Sequence, residues 1–174
     1  MNTSTILAIS GAVIVGIAAL PFLLPSSVNV KRTAIVTAEP AEIFVLLRSN
    51  SGFQTFNPYK DTDPNLKIEL SGPNEGVGSK FSFAGKEGKG TQTITSLEEN
   101  KGVTMQIDMG AMGKPVQRFT LTPTAGGTQV TWNVSMDFGM NPIGRVFGLF
   151  MDGMMGPVYE RGLDNLAKTV TKSA

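Results

Sequence analysis

The sequence predicts an α+β domain in which a curved antiparallel sheet of about seven strands wraps a long C-terminal helix, preceded by one N-terminal transmembrane helix. Three observations carry that prediction. Gln129 to Asp137 alternate without error: Val130, Trp132, Val134 and Met136 point one way and Gln129, Thr131, Asn133, Ser135 and Asp137 the other, as a half-buried strand requires. From Pro142 to Lys172 the apolar residues Ile143, Phe147, Phe150, Met154 and Val158, then Leu163, Leu166, Ala167 and Val170, recur at helical spacing and define one stripe to be covered. Between Asn65 and Asp137, short alternating segments follow one another through tight turns, the mark of antiparallel pairing. A twisted sheet of this size curls, and an amphipathic helix lying in its concave face buries both apolar surfaces, giving a helix grip.

The chain in order justifies each element. Ile6 to Leu24 is uncharged and aliphatic. Its roughly 19 residues reach about 28 Å as a helix, close to the apolar thickness of a bilayer. A cleaved signal peptide competes poorly, because nothing before Lys31 is charged except the amino terminus and Pro25-Ser26-Ser27-Val28 is a poor cleavage site. A buried core helix is the other competitor, although the run has no amphipathic pattern. Residues 1–25 are therefore expected to be a membrane anchor and 26–174 one folded domain. Lys31 and Arg32, just after the anchor, lean the domain toward the cytoplasmic side of a single-pass protein.

Val28 to Thr37 is rich in β-branched residues and forms a first strand. Pro40 opens a short helix carrying Ile43, Phe44 and Leu47. Ser51 to Asp63 forms another short helix or tight turn that seats Phe53, Phe56 and Tyr59 under the sheet. Strands then follow around Leu66–Leu70, Phe81–Phe83, Thr91–Leu97, Val103–Met109, Phe119–Leu121 and Gln129–Asp137. Gly156-Pro157 removes a backbone donor and predicts a kink that splits the C-terminal helix in two.

Composition excludes much chemistry. The 174 residues include no histidine and no cysteine, which removes the usual neutral-pH base, the thiolate nucleophile and nearly all zinc and haem sites. No cofactor or metal is expected. A net charge of +1 gives no basic surface for nucleic acid. The Gly85–Gly90 turn lacks the Gly-Lys-Ser/Thr order of a phosphate loop and precedes a strand, so it is a hairpin turn. Asp61, Asp63, Glu98 and Glu99 are expected to be solvated turn charges.

The sequence resembles the membrane-anchored bacterial members of the START-like superfamily, the group that includes polyketide cyclase/dehydrase and lipid-transport proteins. The resemblance is carried by Phe56-Asn57-Pro58-Tyr59 before Asp63-Pro64, Ser71-Gly72-Pro73, Gly76-Val77-Gly78, the Gly85–Gly90 turn, and Gly127 to Trp132. It continues through Met151-Asp152 and Tyr159-Glu160-Arg161-Gly162-Leu163 with Leu166, and spans roughly Val28 to Lys172. Relatives often have Trp in place of Phe56 and Phe in place of Tyr159. No catalytic motif carries over, and the fold hosts carriers, receptors and enzymes alike.

The function expected from these residues is membrane-tethered binding of a hydrophobic small molecule, a lipid or lipid-like metabolite, in transfer or sensing. The cavity wall would comprise Phe81, Phe83, Ile94, Met105, Ile107, Phe119, Leu121, Val130, Trp132 and Val134 from the sheet, with Phe147, Phe150, Met154 and Val158 from the helix. Gly144, Gly148, Gly153 and Gly156 would leave it room, and nine methionines would make it adaptable. The competing reading is a packed core without a cavity. Tyr59, Asp152, Tyr159 and Glu160 are the candidate polar pocket groups, which a cyclase/dehydrase-type enzyme would need. A protein-interaction module is the third reading.

Overall fold

The computed structural model describes residues 19–173; the expected anchor falls largely outside them. Among the described residues, no helix is long and apolar enough to cross a membrane. The chain enters through a 3-10 turn at Leu20–Leu23 and forms β1 (Ser27–Val36), α1 (Pro40–Leu47), α2 (Asn50–Phe56) and α3 (Tyr59–Thr62). β2 (Lys67–Ser71), β3 (Lys80–Gly85), β4 (Gly88–Glu98), β5 (Gly102–Asp108), β6 (Val116–Thr124) and β7 (Gly127–Asp137) follow, and α4 (Pro142–Ser173) closes the chain. All seven strands form one antiparallel sheet in the order β1-β7-β6-β5-β4-β3-β2. The predicted α+β architecture is what forms.

Local chemistry fixes the boundaries. Glu39 and Glu42 make a reciprocal capping box at the start of α1, with Pro40 as its first residue. The Ser49 hydroxyl accepts from the Gly52 N–H at 2.9 Å to cap α2. The Asn57 side-chain oxygen accepts from the Tyr59 N–H at 3.0 Å and turns the chain into α3. Asn100, in the β4–β5 turn, takes a left-handed φ of 57° that its short polar side chain tolerates. The β4–β5 register shifts between Ile94 and Ser96, a bulge of the kind that bends a strand.

The helix corrects two expectations. The predicted division into two pieces is absent: α4 runs unbroken for 32 residues with Pro157 inside it. Proline costs one hydrogen bond and crowds the carbonyl four residues back, but both flanks are held. Asp152 and Glu160 bond the same Arg32 guanidinium of β1, at 2.8 and 2.7 Å, one before Pro157 and one after.

The second correction concerns burial. The helix packs chiefly on β1, with α2 and the Leu20–Leu23 turn beside it, and its two halves differ. Tyr159, Leu163, Leu166 and Val170 are buried, Leu166 completely, whereas Ile143 is 80% and Phe150 60% exposed. Val146, Phe147, Leu149 and Met154 are exposed as well. The residues read as one covered stripe fall on two faces: those ahead of Pro157 point outward, and Leu163, Leu166 and Val170 behind it are buried on the opposite side.

Candidate functional site

The concave face is built by strand register. Arg32, Trp132, Phe119 and Val103 lie in one row across β1, β7, β6 and β5; Val30, Val134, Gln117, Met105 and Ile94 form the next. Onto the first row α2 lowers Phe53 and Phe56 and α4 lowers Tyr159. Trp132 stacks on Tyr159 at 4.9 Å between ring centres, meets Phe119 at 4.7 Å, and receives Phe53 edge-on at 6.0 Å. Phe53 and Phe56 meet edge-to-face at 5.1 Å. Such offset and edge contacts are the favoured aromatic geometry. Here the space between helix and sheet is filled.

The expected lining residues divide accordingly. Phe81, Ile94, Met105, Phe119, Leu121, Val130, Trp132 and Val134 are buried in a continuous core. Phe83 and Ile107 are half-buried, and Val158 packs against the core edge. Phe147, Phe150 and Met154 are exposed and line no enclosed space. The glycines of α4 also serve differently from expectation. A Cβ at Gly144 or Gly148 would strike the Phe138 ring, and one at Gly156 would overlap the Arg32 guanidinium. Only Gly153 has nothing near it. The volume they free is taken by this chain's own side chains. The two clefts described, of about 320 and 440 Å³, lie along β5–β6 and at the β1–β7 end, away from the helix–sheet interior.

The interior is not wholly apolar. Gln92 and Gln117 project inward from β4 and β6, both buried, and Asn50 joins them from α2. The Gln92 amide donates to Asn50 Oδ1 at 3.0 Å, the Gln117 amide reaches Gln92 Oε1 at 3.4 Å, and both approach the Met105 sulfur. Asn50 Nδ2 donates to the Ser79 carbonyl at 2.6 Å. Asn50, Gln92 and Gln117 are held in the interior by pairing with one another. Among the described residues, three buried side-chain polar atoms are left without a partner, Gln54 Nε2, Asn133 Oδ1 and, at the aromatic cluster, the Trp132 indole N–H; an unmade bond of this kind costs about 1–3 kcal/mol.

Among the candidate polar groups, Tyr59 and Tyr159 come together. Burial pushes the Tyr59 hydroxyl up to about 12, partly offset by its hydrogen bond with Tyr159. Burial, then the neighbouring Tyr59, holds Tyr159 well above its ordinary value. Both are neutral phenols at physiological pH, able to donate but not to act as bases. The Tyr59 hydroxyl also points to the Met155 sulfur at 3.9 Å. Asp152 and Glu160 lie apart from this pair, at the β1 edge, and Arg32 engages both. Hydrogen bonding to that guanidinium holds the Asp152 carboxyl below its ordinary value. Among the described residues, no cluster of acidic side chains could hold a metal.

Some of these residues escaped the sequence reading although a signal existed. Gln92 stands two residues before Ile94 and Gln117 two before Phe119, which puts both on the inward face. Arg32 alternates with Val30 and Ala34 and so also faces inward; read only as a charge near the membrane, it lost its role as the clamp of α4. Phe138 carried no signal, because it follows the last strand.

No curated protein matches the chain. Solved structures do match in fold. Norcoclaurine synthase from Thalictrum flavum, a point mutant in complex with a transition-state analogue, superposes with a TM-score of 0.65 at 15% identity, over 84% of this chain and 96% of that one. A Staphylococcus aureus protein of unknown function gives 0.63 at 15% identity, covering 84% and 95%. A Mesorhizobium loti protein gives 0.57 at 17%, covering 84% and 98%. At these identities the likeness establishes the fold. The family model described as polyketide cyclase / dehydrase and lipid transport matches residues 27–171, from the first strand almost to the end of α4, and the chain belongs to that family.

Proposed function

We propose that the protein is a membrane-tethered binding domain for a hydrophobic small molecule, a lipid or lipid-like metabolite, that acts in transfer or sensing. One observation carries the reading: the concave face is closed around Trp132, but apolar residues at its other end are only half-buried. There Phe83 of β3, Ile107 of β5, Met109 and Phe138 are only partly covered. A guest lying on this floor would bury its chain at about 0.8 kcal/mol per methylene. It would lie at the end where β1 begins and the apolar N-terminal run is attached, so loading from a bilayer needs no passage through water. In a structural neighbour this fold holds small aromatic molecules: norcoclaurine synthase from Thalictrum flavum is known in complex with dopamine and hydroxybenzaldehyde.

Binding is favoured over catalysis because Asp152 and Glu160 are tied to Arg32 at the β1 edge, apart from the interior. The test is to purify the full chain in detergent, extract it with organic solvent and examine the extract by mass spectrometry. A lipid panel is then titrated against the emission of Trp132, the sole tryptophan. A copurified apolar compound, depleted by Ile107→Asp or Phe83→Asp, is expected. Repeated absence of any such compound, with neither an emission change nor a thermal shift across the panel, would overturn the reading.

A further inference from the structure

We propose that the first half of α4 is a lipid-contacting surface, seated in the bilayer interface alongside the end of the N-terminal apolar run. The inference shares with the proposed function only its membrane tether, not its ligand. Ile143, Phe147, Phe150 and Met154 step along the helix by four, three and four residues and so form one stripe, and all are exposed. Continued past Pro157, the same stripe becomes Arg161, Asp164, Lys168 and Lys172, as a water-facing helix requires. Between Asp137 and Asp152 the single charged residue is Arg145, and its guanidinium is turned away onto backbone. It donates to the Gly139 carbonyl at 2.7 Å, to the Phe22 carbonyl at 2.8 Å and to the Leu24 carbonyl at 3.1 Å, with the Phe22 ring at 5.8 Å.

Those bonds fasten the exit of the Ile6–Leu24 run to the side of the stripe. Leu20 and Leu23, at that exit, are themselves exposed. A bilayer fits this surface better than the chain's own N terminus. The run has no polar face, so docking it on α4 would cover one side and leave the others bare. Lipid covers both at once. An interfacial helix of this kind buries its apolar face roughly 5–10 Å into the headgroup–acyl boundary.

The chain has no cysteine, which permits single-site labelling of the full-length protein in phosphatidylethanolamine–phosphatidylglycerol vesicles. An environment-sensitive probe at Phe147→Cys or Phe150→Cys should be quenched by lipid-borne spin labels and shielded several-fold from aqueous iodide. The same probe at Lys168→Cys should behave in the opposite way. Equal iodide access at 150 and 168 in vesicle-bound protein overturns the proposal while leaving the tether intact. Shielding without lipid quenching also overturns it, and names a second copy if it fades on dilution or the N terminus if a cross-link to residues 6–18 forms. Failure of the chain to sediment with vesicles overturns both this surface and the tether. Loss of ligand binding with lipid quenching retained would remove the carrier reading alone.

Discussion

The two halves of α4 obey the same helical periodicity and have opposite fates. Behind Pro157, Leu163, Leu166 and Val170 drop into the core against β1 and α2, and charged residues take the outer face. Ahead of it, the buried side is mostly Gly144, Gly148 and Met151, and the bulky apolar residues face outward. An apolar residue at helical spacing shows that a surface must be kept from water; it does not say whether this chain supplies the cover. What decides is the size of the residue on the inner side, since glycine there draws a neighbour such as Phe138 beneath the helix.

That contrast is broken most forcefully by truncation on each side of the proline. Leu166→Ala should cost about 2–5 kcal/mol, read as a shift in denaturant midpoint, because it opens a cavity in a closed core. Ile143→Ser should change stability by no more than about 0.5 kcal/mol, the ordinary result at an exposed site. Equal losses would mean that the front half is covered within the folded chain. The glycines sharpen the same point. Gly162→Ala pushes a Cβ into the Trp132 ring and should destabilise by about 1–3 kcal/mol, while Gly153→Ala, with open space around it, should stabilise by about 0.5–1 kcal/mol.

The halves should also differ in their response to pH. Tyr59 ionises at about 12 rather than its ordinary 10.0, and Tyr159 is raised as well. Stability held by the neutral phenols is therefore complete below pH 10 and falls as pH rises from there through the folded values, because the unfolded state releases its protons first. Phenolate absorbance should rise together with loss of the Trp132 environment; an early phenolate signal with α4 still docked would refute the closed interior. The smallest effect is expected from the clamp. Asp152 is held below its ordinary value of 3.8, so its contribution is present above that pH and is lost as the pH falls through the lowered folded value. Arg32→Ala should flatten this acid limb in thermal melts by slightly lowering the melting temperature near neutrality while leaving it unchanged in acid; an unaltered acid limb would show that the pair contributes nothing.

Most of the architecture was legible in the sequence because local and global signals agree. Alternation located the strands, Glu39-Pro40 the start of α1, and turn residues the hairpins. The site was legible only in part. Alternation names inward residues such as Met105 and Trp132, but whether they enclose a void depends on Phe53, Phe56 and Tyr159, which arrive from elsewhere in the chain. The division of α4 failed for the same reason: Pro157 weakens the local ladder, but the helix continues through it with Arg32 of β1 bonded on both flanks.

Arg32 has a mechanical consequence. By gripping one side chain on each flank of Pro157, it splints the place where a helix would otherwise flex, so α4 moves as a single lever with its fulcrum on β1. A push on the exposed arm is then delivered to the Tyr159–Trp132 stack at the other, and cutting the splint should leave the two arms swinging independently.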